Sequence, residues 1–342
     1  MDINDHAPIP VYVPNKERYH SMPYRRCGNS GIMLPCFSLG LWHNFGQYDN
    51  FANARQILRT ALDLGITHWD LANNYGPPYG SAEEVFGRIK NMDFAAYRDE
   101  LFISTKAGYD MWPGPYGNNG SRKSLTASLN QSLKRMDLDY VDLFYHHRPD
   151  PDTPIEETVY ALDSLVKQGK ALYVGVSRYS EEQTAKAHAL FKELGTPFII
   201  HQSRYSMLDR HIEEGLLGCV GEHDLGLIAF SPLEQGMLTD RYLKGIPENS
   251  RASNQHSYLS ESLVLDNQET IVALAEIAHQ RGQSLAQMAL AWLLNDQRVT
   301  SVLIGASSPQ QLKENVASTE KLEFSESEQQ AIRAILTAHS SS

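Results

Sequence analysis

The chain alternates between two hydrophobic patterns. Short runs of β-branched and aromatic residues are each followed by longer stretches with apolar residues every three to four positions. SLGLW (38–42) precedes ARQILRTALDLG (54–65), and THWDLA (67–72) precedes SAEEVFGRIKNM (81–92). LFISTK (101–106) precedes RKSLTASLNQSLKRM (122–136), and YVDLFYHH (140–147) precedes IEETVYALDSLVKQG (155–169). YVGVS (173–177) and FIIHQ (198–202) lead into helical stretches at 180–195 and 212–224. GLIAFS (226–231) is followed by a long polar insertion, then by NQETIVALAEIAHQRG and SLAQMALAWLLND. VTSVLIGA (299–306) with PQQLKENVAST completes eight strand–helix units.

Strict alternation predicts a parallel sheet with helices packed outside it. Eight units suit one closed (β/α)8 TIM barrel, which typically needs about 250 residues. A doubly wound open sheet is the competing fold. Ahead of the first unit, YRRCGNSGIMLPCFS predicts a β-hairpin turned at Asn29-Ser30-Gly31 that plugs the N-terminal end of the barrel. Ser180 three residues before Gln183 has the spacing of a capping box. Gly65, Gly169 and Gly195 each follow a helical stretch, where a left-handed residue closes the turn. Pro8, Pro10 and Pro14 predict an extended arm over residues 1–21. Residues 22–342, including the C-terminal helices, are expected to form a single domain.

Composition narrows the function. Of 342 residues, 42% are hydrophobic and 21% charged, an ordinary globular balance that excludes a disordered or fibrous chain. The net charge of −11 argues against a nucleic-acid reader, which needs a dense basic face to displace phosphate counterions. Three cysteines without CxxC spacing support neither a disulfide scaffold nor a zinc site. No apolar run approaches the ~20 residues of a membrane span, and the N-terminus lacks a signal-peptide pattern. A cytoplasmic protein is expected. Neither GxGxxG, Walker A, GxSxG nor HExxH occurs, which sets aside Rossmann dehydrogenases, P-loop enzymes, elbow hydrolases and zincins.

A TIM barrel keeps its active site at the C-terminal ends of its strands. The second strand ends in Asp70, the third in Lys106 and the fourth in His147, while Tyr75 follows Asp70 by five residues on the same mouth. Each alone has an ordinary reading as a cap or a packed ring. Their coincidence at three successive strand ends favours chemistry. His146 and His147 point to opposite faces, so only one reaches the lumen.

DLANNYG, ISTKAG, DLFYHHR, GVSRYS, AFSPLEQGMLT and IGASSPQQLKEN, in this order, resemble the aldo-keto reductase superfamily over about residues 22–325. AGYDMWPGPYG with NGSRK is similar to its bacterial L-glyceraldehyde 3-phosphate reductase branch, related to potassium-channel β subunits. The resemblance implies a catalytic tetrad of Asp70, Tyr75, Lys106 and His147, with no metal. Hydride addition to an aldehyde leaves charge on oxygen, so a proton donor must stand there. A phenol has a reference pKa near 10. The Lys106 ammonium is expected to lower it, Asp70 to hold that ammonium, and His147 to orient the carbonyl.

The cofactor implied is NADPH. By resemblance Ser177 and Gln202 contact the nicotinamide carboxamide, Phe230 stacks on the ring, and Trp42 and Arg178 border it. Ser231, Leu233, Gln235, Gly236 and Leu238 match the loop over the pyrophosphate. Gly305, Ser307, Gln311, Glu314 and Asn315 match the adenosine site, where a helix start is expected to offer N–H groups to phosphate. Arg251 matches a contact to the 2′-phosphate. Asp240-Arg241 stand where the family usually has Gly-Lys, an unfavourable charge beside a pyrophosphate. Trp42, Tyr109 and Trp112 are expected to wall the substrate, with Arg148 and Arg178 available to an anionic group. The expected activity is NADPH-dependent reduction of small aldehydes such as L-glyceraldehyde 3-phosphate or methylglyoxal, in a homo-oligomer. The alternative is a non-catalytic, NADPH-binding, redox-sensing subunit like the channel β relatives.

Overall fold

The computed structural model describes residues 12–248, 250–253 and 259–340. A hairpin of β1 (Tyr24–Arg26) and β2 (Met33–Pro35) comes first, paired antiparallel from Tyr24↔Pro35 to Arg26↔Met33. Eight further strands follow. They are β3 (Phe37–Gly40), β4 (His68–Asp70), β5 (Phe102–Ala107), β6 (Val141–His146), β7 (Ala171–Ser177), β8 (Phe198–Arg204), β9 (Gly226–Phe230) and β10 (Val299–Ile304). They close into a parallel barrel in chain order, with β10 pairing β3. The barrel excludes the open-sheet alternative.

The surrounding helices are α1 (Phe51–Asp63), α2 (Ser81–Ile89), α3 (Arg122–Met136), α4 (Ile155–Lys167), α5 (Glu181–Leu194) and α6 (Leu216–Glu222). The C-terminal group is α7 (Glu261–Asp266), α8 (Gln268–Gln280), α9 (Leu285–Asn295), α10 (Pro309–Val316) and α11 (Glu326–Ser340). Local signals set several ends. Both bonds of the Ser180/Gln183 capping box are present at α5. Gly65, Gly169 and Gly195 all take positive φ. One departure concerns α2, which runs on through a π turn at Lys90–Phe94 and a 3₁₀ turn at Ala95–Glu100. Asp93 pins that irregular stretch to α1, accepting from Arg55 at 2.6 and 2.7 Å and from Arg59 at 2.8 Å.

Of the expected arm, residues 1–11 lie outside the described residues. Residues 16–20 turn rather than extend. The Tyr12 hydroxyl donates to Asp63 at 2.8 Å, fastening this segment to α1. The hairpin turn seats Cys27 and Leu34 against Leu143, Tyr145, Ile200 and Ile228, one apolar cluster across the hairpin and the barrel strands. A Cβ on Gly175 would come within 2.6 Å of the Tyr145 ring, so that ring fits only beside a residue without a side chain. A second apolar cluster joins α8, α9 and α11 to Met237, Leu238, Tyr242 and Leu259 of the insertion after β9.

Burial lowers the pKa of three imidazoles, His68, His146 and His201, to about 4 each. In the unfolded chain they titrate near 6.5. Below that value the unfolded state binds protons that the folded state refuses, so stability is lost as pH falls from about 6.5 towards 4. The midpoint of urea unfolding should drop between pH 7 and pH 5, each histidine contributing about 2 kcal/mol. A midpoint unchanged at pH 5 would contradict neutral burial.

Candidate active site

At the barrel mouth β4 ends in Asp70 and β5 carries Lys106, both fully buried. An ammonium out of water is costly unless paired and hydrogen-bonded. Lys106 Nζ donates to Asp70 Oδ2, to the Leu71 carbonyl at 2.7 Å and to the Tyr75 hydroxyl at 3.3 Å. Three protons therefore meet three acceptors. Because an ammonium has no lone pair, Tyr75 Oη accepts here, and its own proton must point elsewhere.

The electrostatics follow from burial and charge. Burial pulls the Lys106 ammonium down, but Asp70 and Tyr75 more than offset it, and its pKa lies above the ordinary value. Burial pushes the Tyr75 phenol up, while Lys106 and Arg178 pull it down only in part. Lys106 pulls the phenol down as expected, and desolvation outweighs it. Burial, with the charges of Lys106, Arg178 and Arg148, holds the His147 imidazole well below its usual pKa and therefore neutral.

His147 meets Tyr75 edge to face, with ring centroids 5.9 Å apart, and Tyr109 at 4.6 Å. His146 belongs to another environment, its Nδ1 2.7 Å from the Tyr179 hydroxyl. Trp42 stacks on Tyr75 at 6.2 Å and on His43 at 4.4 Å. The Arg148 guanidinium lies over Tyr109 at 4.3 Å, tied to the Gly108 carbonyl and Asn118. Trp112 sits in the adjoining loop, in a turn closed by Met111 N–H donating to Gly117 O at 2.9 Å.

Ser177 and Gln202 end β7 and are set in β8, both buried. Phe230 closes β9 with Arg178 over its ring at 4.8 Å. Gln202 Nε2, His147 Nδ1 and Asn315 Nδ2 are buried without hydrogen-bond partners among the described residues. Orphaned buried polar atoms of this kind suit a ligand that supplies the missing groups. Gly236 and Gly305 have open space where a Cβ would stand, so a ligand can approach the backbone there. A nicotinamide dinucleotide fits these features.

The loop after β9 is unusual in backbone. Ser231, Glu234, Gln235 and Gly236 all have positive φ. Glu234 is buried and anchors the loop, accepting from Arg204 and from Ser206 Oγ at 2.7 Å. Leu238 N–H donates to the Leu233 carbonyl at 3.1 Å, and Arg251 reaches Gln235 Oε1 at 3.3 Å. At the start of α10, Ser308 Oγ accepts from Gln311 N–H, and Pro309 has no N–H. Ser307 N–H and Oγ both donate to Gln311 Oε1, and Glu314 Oε1 accepts from Gln310. Side chains therefore take up the Ser307 and Gln311 N–H groups at this helix start. Asp240 Oδ1 accepts from Leu285 N–H at the start of α9, where a carboxylate suits the helix dipole.

A sequence profile of the aldo/keto reductase family matches residues 37–337. This chain belongs to the aldo/keto reductase family. It is 58% identical over 323 residues to L-glyceraldehyde 3-phosphate reductase of Escherichia coli O157:H7, covering 93% of each chain. It is also 38% identical over 303 residues to a probable voltage-gated potassium channel subunit beta of Arabidopsis thaliana, covering 86% of this chain and 90% of that one. Aldo/keto reductases are oxidoreductases that generally use NAD(P)H. No helix among the described residues is long and apolar enough to cross a membrane.

Two groups of this aldo/keto reductase escaped the sequence reading. Arg204 and Ser206 pair with Glu234 across about thirty positions, and nothing local marks that contact. Ser104 donates to Asp70 Oδ1 at 2.6 Å, and His68 lies 2.9 Å behind it. Here a signal existed: 68 with 70, and 104 with 106, share a strand face, so two polar pairs point into the lumen.

Removing one partner of a buried ion pair strands the other. Asp70→Asn should cost about 3–5 kcal/mol of unfolding free energy, and Asp70→Asn with Lys106→Met should recover most of it. Denaturant unfolding of the single and double variants checks this. A double variant as unstable as the single would rule out an unpaired ammonium as the cause.

Proposed function

We propose that this aldo/keto reductase reduces small aldehydes with NADPH, L-glyceraldehyde 3-phosphate first among them and methylglyoxal next. The observation that carries the reading is the hydrogen-bond set of Lys106. It occupies one side of the Tyr75 oxygen and leaves the phenolic proton to the mouth, beside neutral His147. The 58% identity to an L-glyceraldehyde 3-phosphate reductase supports the substrate. NADPH, held by Ser177, Gln202 and Phe230, would supply the hydride that the carbonyl carbon receives. Tyr75, kept protonated by burial, gives its proton to the carbonyl oxygen, and the phenolate left behind lies next to the Lys106 ammonium. His147 retains an N–H that orients the carbonyl. Trp42, Tyr109 and Trp112 border the substrate, and Arg148 with Arg178 faces its phosphate. Ser177, Gln202 and Phe230 seat the nicotinamide. A cytoplasmic homo-oligomer belongs to the same reading.

The test is the decay of NADPH absorbance with a panel of aldehydes. Turnover of L-glyceraldehyde 3-phosphate is expected, whereas binding without turnover across the panel would favour the redox-sensing alternative. Tyr75→Phe keeps the ring and should lower kcat by about 10²–10⁴-fold, with NADPH affinity little changed. Lys106→Met should be comparably damaging, and the two losses should not add. A Tyr75→Phe enzyme within a few-fold of wild type would sink the assignment.

Arg251 reaches Gln235 on the loop after β9 and offers a cation to a 2′-phosphate. Arg251→Ala should raise Kd for NADPH by about tenfold while leaving NADH within about twofold, measured by fluorescence titration. Equal weakening of both cofactors would remove Arg251 from that role.

A further inference from the structure

Beneath the ion pair, four polar side chains run through the interior of the barrel. Ser301 of β10, Ser38 of β3, His68 of β4 and Ser104 of β5 are all fully buried. Ser301 Oγ lies 2.6 Å from Ser38 Oγ, which lies 2.7 Å from His68 Nδ1. His68 Nε2 lies 2.9 Å from Ser104 Oγ, and Ser104 donates to Asp70 Oδ1 at 2.6 Å. A barrel interior is normally filled by branched apolar side chains. Four polar groups there need a reason.

The direction of every bond follows from its last member. An ionised carboxylate only accepts, so the single Ser104 proton goes to Asp70. The Ser104 oxygen must then accept from His68, which places the imidazole proton on Nε2. Nδ1 is left to accept from Ser38, and Ser38 in turn accepts from Ser301. All the donors point one way. Such a chain polarises link by link and strengthens the final bond to the charged oxygen. Burial keeps His68 neutral, with a pKa of about 4, so the direction is stable at neutral pH.

We propose that Ser301, Ser38, His68 and Ser104 form a positioning relay that keeps Asp70 aimed at Lys106, and so sets the acidity of Tyr75. The consequence for the reaction rests on the reductase reading above, whereas the hydrogen-bond direction stands without it. With the Ser104 donor gone, Asp70 Oδ1 is a buried carboxylate oxygen without its donor. The carboxylate then draws the Lys106 proton more strongly, and Tyr75 loses part of the positive charge that favours its phenolate. The pKa of Tyr75 must therefore rise. The titratable and charged groups acting on this centre are His68 and Asp70 from β4, Lys106 from β5, Tyr145 from β6, His147 and Arg148 after β6, and Arg178 after β7. A Ser104→Ala change keeps every one of these residues and reaches them through Asp70.

Two measurements test the relay. In ¹⁵N-histidine-labelled wild-type protein, the two side-chain nitrogens of His68, assigned by loss in a His68→Gln variant, should report the Nε2–H tautomer at pH 7. An Nδ1–H tautomer would overturn the direction of the chain, whatever the enzyme reduces. In kinetics, Ser104→Ala should lower kcat for aldehyde reduction by about tenfold and move the alkaline limb of its pH profile upward by about half a pH unit. Ser104→Thr, which keeps the hydroxyl, should stay within about twofold with its limb unmoved. A Ser104→Ala variant that loses rate or thermal stability with the limb in place would show packing only and would refute the relay. A wild type with no turnover would fail the reductase reading instead, and the tautomer measurement would still decide the hydrogen-bond direction.

Discussion

The centre of this molecule depends on keeping one ammonium charged in a place without water. Lys106 is fully buried, and burial alone would lower its pKa. Asp70, the Leu71 carbonyl and Tyr75 absorb its three hydrogen bonds. The pairing is stabilising only relative to a bare ammonium. An apolar pair of the same shape often costs less.

The barrel supports that charge in two ways. Parallel strands in register put Asp70 opposite Ser104, so β5 contributes both the lysine and the hydroxyl that steadies its partner. The apolar hairpin plug and the Tyr145 ring, which fits beside Gly175, exclude water from the side opposite the mouth. Low dielectric strengthens each hydrogen bond and also raises the phenol's pKa. These pull in opposite directions on Tyr75, and its protonated resting form is the outcome.

The strap after β9 is governed by a different constraint. Four residues with positive φ are held there because Glu234 is buried and bonded to Arg204 and Ser206, while Asp240 is engaged with the start of α9. The acidic residue that looked misplaced beside a pyrophosphate therefore serves a helix instead. The same logic applies at α10, where Ser308 and Gln311 satisfy groups that a bare helix start would present to a ligand.

Periodicity alone carried the sequence to the barrel, because a parallel closed sheet demands the same strand–helix alternation eight times and few other folds do. Strand ends then pointed to Asp70, Lys106, Tyr75 and His147, since every βα loop opens on one mouth. Local hydrogen bonds were legible as well: the Ser180 box and the closing glycines depend on neighbours three or four residues away. What lay beyond reach were the balances struck between distant segments. Whether burial or the ammonium governs Tyr75 depends on how much water the assembled mouth admits. Glu234 meets Arg204 only after two strands have paired, and Ser301 reaches Ser38 only because the eighth strand of the barrel closes on the first. Contacts of that kind have no local pattern, because the sequence separation they bridge is set by the closure of the barrel and not by the residues between them.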